Sequence, residues 1–224
     1  MRDNGSNSAA AVWAILRKEC RSEWRTRYGL HAALLFAVTS LAAVSFAVGR
    51  LGDRVDVLAA LLWVVLLFAS LATLSHSFVR EMEGHTLTLM RLVASPTSIA
   101  FGKLLFNLLF LAVLELIAVP LFLVLMGAPT PHWADFLGLL VAGSVALAAA
   151  TTLVGALVAQ TRGRGALFAA ISLPLLLVVV AAGVSGTRGQ WEGRAVTGEL
   201  RLLWSYAIAL LAGSSLLYDH LWED

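Results

Sequence analysis

Apolar and polar residues alternate in long blocks along this chain, and six of the apolar blocks are long enough to cross a bilayer. They cover 30–48, 57–75, 99–126, 136–159, 166–184 and 202–218, each near the roughly 20 residues a helix needs to span a hydrocarbon core about 30 Å thick. The last is the shortest and needs Trp204 or Trp222 at its flanks as anchors. The longest polar-rich interior stretch, 76–103, separates the second run from the third. It opens as an amphipathic helix, with Phe78, Met82, Leu87, Leu89, Met90 and Leu92 spaced mostly at three to five residues and Arg80, Glu81, Glu83 and His85 between them. Such a stripe lies on a membrane surface or in a partner's groove. Ser95 and Pro96 then stop that helix, because proline lacks the amide hydrogen and pushes the preceding residue out of helical geometry. Beyond Pro96 the chain re-enters the bilayer.

Ahead of the first run, Trp13, Leu16, Cys20, Trp24 and Tyr28 recur at three and four residues, opposite Arg17, Lys18, Glu19, Arg21, Glu23, Arg25 and Arg27. Basic residues facing tryptophans predict a helix lying in the interface plane, held by apolar burial and anionic headgroups; a plain basic flank that orients the protein is the simpler alternative. The expected organisation is a frayed polar tail and interfacial helix over 1–28, a six-span domain over 29–218 with a polar segment at 76–98, and a short tail over 219–224. On the far side the connections 49–56, 127–135 and 185–201 are short, and the last, glycine-rich and polar, is expected to be a loop with Trp191 dipping toward the headgroups. Gly143, Ser144, Ala146, Ala148, Ala149, Ala150 and Gly155 in the fourth run predict close helix contact, since small residues let backbones approach where apolar burial gives no drive.

Composition agrees with an all-α polytopic membrane protein. Of 224 residues, 59% are hydrophobic and only 13% charged, with mean hydropathy +0.84, whereas soluble domains carry about 25% charged residues. The start, MRDNGSNSAAAVW, has no apolar core followed by a small-residue cleavage site, so no secretory signal is expected. The single cysteine excludes a disulfide framework, and a net charge of +2, scattered between apolar runs, implies no nucleic-acid partner. Of the sixteen lysines and arginines, eleven precede the first run or lie in the segments that six spans would put on the same side as the termini. The positive-inside bias therefore predicts cytoplasmic termini.

Glu115 is the one charged residue deep inside a run. A carboxylate there costs on the order of 3 kcal/mol and normally faces a bundle interior or a watery path. Asn107 lies eight residues earlier on a similar face, and Pro120 bends the same helix; a substrate or gating role and a protonated carboxyl bonding a neighbouring helix are both open. Glu81 and His85 share a helix face but lack a second ligand pair, so no metal site is expected. His132 beside Trp133 is placed to touch a haem edge or an outer partner, a loop histidine near headgroups being the plainer reading. Gly102-Lys103 lacks the rest of a phosphate-binding loop, and neither HExxH nor GxSxG occurs. The chain is thus not read as an enzyme, and any energy it uses comes from elsewhere.

From Phe78, the stretch FVREMEGHTLTLMRLVASPTSIAFGKLLFNLLF resembles the cytoplasmic signature of the haem exporter protein B family (CcmB), the permease of cytochrome c maturation. LRKECRSEWRTRYGL resembles that family's N-terminal helix, Glu115 with Val119-Pro120-Leu121 its third-span pattern, and GALVAQTRGRGALFAAISLP its fourth-to-fifth-span turn. Departures are Ala94 and the run 175–180 where family members carry further prolines, and Trp204-Ser205-Tyr206 where they carry an aspartate. The resemblance implies an ABC-2-type exporter permease in a bacterial inner membrane, two copies pairing with two copies of a cytoplasmic ATPase that uses ATP. It also implies a haem-handling membrane subunit, a small single-span subunit, a periplasmic haem chaperone, haem as substrate, and no cofactor held by this chain. A coupling helix would present Phe78, Arg80, Glu81, Met82, Glu83, Gly84 and Leu87 to the ATPase. Export of lipid or another amphiphile, and a non-transporting scaffold for assembly factors, are the alternatives.

Overall fold

The computed structural model describes residues 4–26, 28–52, 54–83, 95–159 and 164–221, with side chains over 8–26, 28–52, 54–71, 95, 97–154 and 172–214. Among them all regular structure is helical: α1 (Asn4–Thr26), α2 (Tyr28–Val48), α3 (Val55–Glu83), α4 (Pro96–Met126), α5 (Trp133–Ala159), α6 (Arg164–Trp191) and α7 (Thr197–Leu221). A helix stands at each of the six apolar runs. Four described stretches are long and apolar enough to cross a membrane, Tyr28–Val48, Thr97–Met126, Trp133–Val154 and Ser172–Trp191, and Val55–Leu71 is a shorter apolar one.

The centre of the bundle is α5, which packs on α3, α4, α6 and α7. Its small residues explain why: Ala142, Gly143, Ser144, Ala146, Ala148, Ala149 and Ala150 are all buried, so four neighbours can approach one backbone. Trp63 of α3, Phe122 of α4 and its own Phe136 are the largest fully buried side chains among the described residues.

Local chemistry sets the ends of α4. Ser95 takes extended geometry (φ −66°, ψ 149°) and its hydroxyl accepts the Ser98 amide at 3.4 Å, with Pro96 in the first turn, where its missing N–H costs nothing. Gly127 closes the helix in the left-handed region (φ 62°), which a side chain would resist. At this end Ser45 Oγ of α2 donates to the Leu125 carbonyl (3.3 Å) and the Leu51 amide to that of Met126 (3.0 Å), so α2 and α4 finish together. With 31 residues in α4 against 21 in α2, α4 extends about 15 Å further at its start. Onto that projecting part packs α1. Gly102 makes the approach possible, since a Cβ there would meet Ile15 Cγ2 at 2.6 Å. The start of α1 at Asn4 differs from the frayed tail expected, and the alanines from Ala9 to Ala11 carry the helix back toward it. Where α1 gives way to α2, Glu23 Oε1 accepts the Leu30 amide at 2.8 Å and so caps the new helix.

The connection expected as a loop over 185–201 is mostly helix. α6 runs on to Trp191, leaving a short turn through Gly193 (φ 73°) to α7. Its glycines are packing positions: a Cβ on Gly186 would meet Leu139 Cδ2 at 2.5 Å, and one on Gly189 would meet Arg194 Nη2 at 2.9 Å. Arg188 Nε donates to Glu192 Oε1 one turn later at 2.6 Å. Trp191 is half-buried, with its ring 6.2 Å from that of Phe136, instead of reaching toward headgroups.

Candidate functional site

The candidate residues fall into separate regions of the bundle. Phe78, Arg80, Glu81, Met82 and Glu83 belong to the last turns of α3, whose backbone is helical to Glu83; their side chains, and Gly84 and Leu87 altogether, lie outside the described residues.

Asn107 and Glu115 project from α4 onto α5. Asn107 Nδ2 donates to Thr152 Oγ1 at 3.1 Å, and Ser144 Oγ donates to Glu115 Oε1. The donor and acceptor positions are eight residues apart on both helices and run in opposite directions. Both bonds therefore belong to one antiparallel register, with buried Leu111 and Ala148 at the rung between them. Asn107 and Thr152 are fully enclosed, whereas Glu115 is only partly covered. Pro120, exposed, follows five residues on; its ring removes the helical hydrogen bond to the Leu116 carbonyl.

Sequence reasoning passed over Trp63. Its indole is wholly buried, and Nε1 donates to Thr187 Oγ1 of α6 at 2.8 Å. Gly143 of α5 and Gly183 of α6 face the ring so closely that a Cβ on either would overlap it. The tryptophan thus pins α3 between two glycine faces. An aromatic inside an apolar run carries no sign of this; only glycines spaced for contact on other helices hint at it.

At the opposite end from α1, His132 and Trp133 sit at the start of α5. His132 Nδ1 approaches Asp135 Oδ2 at 3.2 Å, and its amide donates to Gln190 Oε1 at 2.9 Å. Trp133 meets Phe136 edge-on with centroids 6.3 Å apart. The histidine side chain is therefore engaged by its own helix, and Trp133 presents an exposed ring beside it. Gln190 Nε2 and Trp191 Nε1 are buried here with no hydrogen-bond acceptor among the described residues. The neighbouring turn is ionic: Arg188 and Arg194 both bond Glu192, and the Arg188 bond, then the Arg194 bond and the charges of both, hold the exposed Glu192 carboxyl below its usual range.

The last region is a groove of about 400 Å³ between α1, α2 and α4, lined by Cys20, Glu23, Trp24, Leu30, His31, Phe106, Leu109, Phe110 and Val113. Burial, and secondarily the Glu19 charge, push the Cys20 thiol up from its ordinary value. Among the described residues no three His, Cys, Asp or Glu side chains come together as a metal site.

A family model described as CcmB protein matches residues 10–218. The chain belongs to this family. Among curated CcmB relatives, the haem exporter protein B of Bradyrhizobium diazoefficiens is 30% identical over 187 residues, covering 80% of this chain and 81% of its own. The protein of the same name from Rhodobacter capsulatus is 27% identical over 89% of this chain and 92% of its own, and that of Pseudomonas aeruginosa 26% identical over 88% and 89%. The alignments thus take in α4 and α5, which form the seam that Asn107 and Glu115 enter. The resemblance drawn from the polar stretch after Phe78 is to the same CcmB family.

Proposed function

We propose that this protein is the transmembrane permease subunit of an ABC-type haem exporter serving c-type cytochrome biogenesis. The observation that carries this reading is the CcmB match over 10–218, supported by relatives named haem exporter protein B across most of their length. The helical bundle with four long apolar helices among its described residues suits a membrane-embedded transport component. In this reading ATP is hydrolysed by a separate cytoplasmic ATPase. Two copies of the permease assemble with two of the ATPase in the bacterial inner membrane, six spans leaving both termini in the cytoplasm, and haem is the cargo. The cycle drives haem export or releases the haem-loaded periplasmic chaperone, alongside the haem-handling and single-span membrane subunits.

The last turns of α3 transmit the work. α3 is helical from Val55 to Glu83, and Trp63 fixes its far end between α5 and α6, twenty residues or about 30 Å from Glu83. An ATPase that grips Arg80, Glu81, Met82, Glu83 and Gly84 thereby acts about 30 Å along the same helix from the Trp63 contact. Purification of the tagged protein from its native membrane in mild detergent tests this reading. A nucleotide-binding subunit should copurify, with its ATPase dependent on 80–84, and with haem or its chaperone present. Lipid in place of haem would indicate a general amphiphile exporter, and absence of any ATPase would overturn the reading and leave a scaffold.

A further inference from the structure

The groove between α1, α2 and α4 lies where two features meet that the transport reading does not use. Its wall is apolar, with Trp24, Leu30, Phe106, Leu109, Phe110 and Val113 as the main surface, and Trp24 and Leu109 stay 75% and 49% exposed. From Phe106 to Val113 it follows α4 for about 10 Å. Of its polar lining groups, Glu23 and His31 are the ionisable side chains, and the Glu23 carboxylate is engaged in capping α2. Next to it runs a basic face. Contrary to the opposed faces expected from the sequence, Arg17 and Arg21 stand two turns and one turn before Trp24 on the same side of α1, since intervals of seven and three residues share a helix face, and together with Trp13 and Arg25 they line the open depression on that helix. The acidic residues of α1 are already engaged: Glu19 is buried and bonded by Lys18 at 3.0 Å, and Glu23, which lines the groove, accepts the Leu30 amide.

We propose that this groove holds one anionic phospholipid from the leaflet on the α1 side, with an acyl chain along Phe106 to Val113 under Trp24 and the phosphate against Arg17 and Arg21. An apolar peptide would fill the groove but leave the arginines without a counter-charge; a free phosphate would satisfy the arginines and leave the groove open. An amphiphile with a negative head meets both at once. The seat also gives α1 a fixed depth, because the lipid is shared between the interfacial helix and two helices of the bundle.

The test uses the full chain in nanodiscs of phosphatidylcholine carrying a small fraction of phosphatidylglycerol with a photoreactive group in mid-chain, or phosphatidylcholine bearing the same group. Crosslinked peptides are mapped by mass spectrometry. The expected result is that phosphatidylglycerol adducts concentrate on Trp24 and on Phe106 to Val113, several-fold above the phosphatidylcholine probe. Arg17→Gln and Arg21→Gln should each lower that excess about fivefold, as expected for a basic side chain at an anionic surface. Val113→Trp, which fills the groove, should remove adducts there while leaving those on the exposed face of α4 at Leu116 and Val124. Equal labelling by both lipids everywhere would mean annular lipid only and would overturn the proposal. So would unlabelled groove residues that instead crosslink to a second copy or to another subunit.

Discussion

The Trp63 pin makes a sharp energetic prediction. Removing the ring by Trp63→Ala deletes a fully buried side chain and leaves the Thr187 hydroxyl without its donor. In a water-soluble core such a truncation costs about 3–5 kcal/mol. Here part of the transfer term vanishes, because lipid tails are as apolar as the bundle interior, so about 3 kcal/mol is expected, mostly from lost packing plus roughly 1 kcal/mol for the hydrogen bond. Gly143→Ala strikes the same contact from the other side. Its Cβ would overlap the indole, which cannot retreat because Gly183 backs the opposite wall, and overpacking of this kind costs about 1–3 kcal/mol. The decisive quantity is the coupling between them. Without the ring the alanine methyl has room, so Gly143→Ala should cost almost nothing in the Trp63→Ala background and the double-mutant cycle should show a coupling of about 2 kcal/mol. Equilibrium unfolding in mixed detergent micelles, followed by circular dichroism, measures all four corners. Additive costs would refute the pin, since they would mean that Gly143 is constrained by something other than Trp63.

The α4–α5 seam predicts that Ser144→Ala or Asn107→Leu lowers unfolding stability by about 0.5–1.5 kcal/mol, the range for hydrogen bonds between membrane helices, while Glu115→Gln, whose amide oxygen still accepts the Ser144 hydroxyl, stays near wild type; thermal unfolding in detergent checks the three. Cys20, the only cysteine, should react with maleimide at neutral pH more slowly than the same thiol in denatured protein. The two rates should converge as pH rises past about 9, because its raised value keeps the thiol protonated. At the α6–α7 turn, Glu192 has a depressed carboxyl, so its bonds to Arg188 and Arg194 stabilise the turn fully above the ordinary glutamate value near about 4.3 and are lost as pH falls through the lower folded value. Amide exchange over 189–196, corrected for intrinsic rates, should accelerate below about pH 4 in the parent and be flat in Glu192→Gln. Glu23→Ala should cost about 1 kcal/mol by uncapping α2, read as faster exchange at Leu30.

The apolar runs announced the helices because their signal is local: in a bilayer every backbone group must bond within its own segment, so a long apolar run has few structures open to it. Ser95-Pro96, read as the stop of the helix before it, caps the start of α4; the expected stop itself lies outside the described residues. What the chain concealed is long-range. The glycines of GTRGQW read as a loop because glycine costs a helix interior about 1 kcal/mol relative to alanine. Yet Gly183, Gly186 and Gly189 recur at three-residue intervals, and each lets another side chain, Trp63, Leu139 or Arg194, come within contact distance. Those partners are remote or follow a turn, and no local pattern names them. Asn107 and Glu115 were legible as polar residues on one helical face, but Thr152 and Ser144 were not legible as their partners, since hydroxyls are unremarkable in a small-residue helix.

The shared register of those two bonds bears on what Glu115 does. Were Glu115 placed only to meet a substrate, nothing would require its partner on α5 to match the spacing of Thr152 from Asn107. The two bonds tie α4 to α5 at matched heights, with buried Leu111 and Ala148 at the rung between. The two rungs nevertheless differ in kind. Asn107 and Thr152 are buried, whereas Glu115 keeps part of its surface open and directly precedes Leu116, whose carbonyl Pro120 leaves unbonded. A carboxyl with one oxygen bonded to Ser144 and part of its surface open is both a fastener and a partly exposed polar group on α4. The bond to Ser144 ties Glu115 to α5, and the open side is what any transport role would have to use.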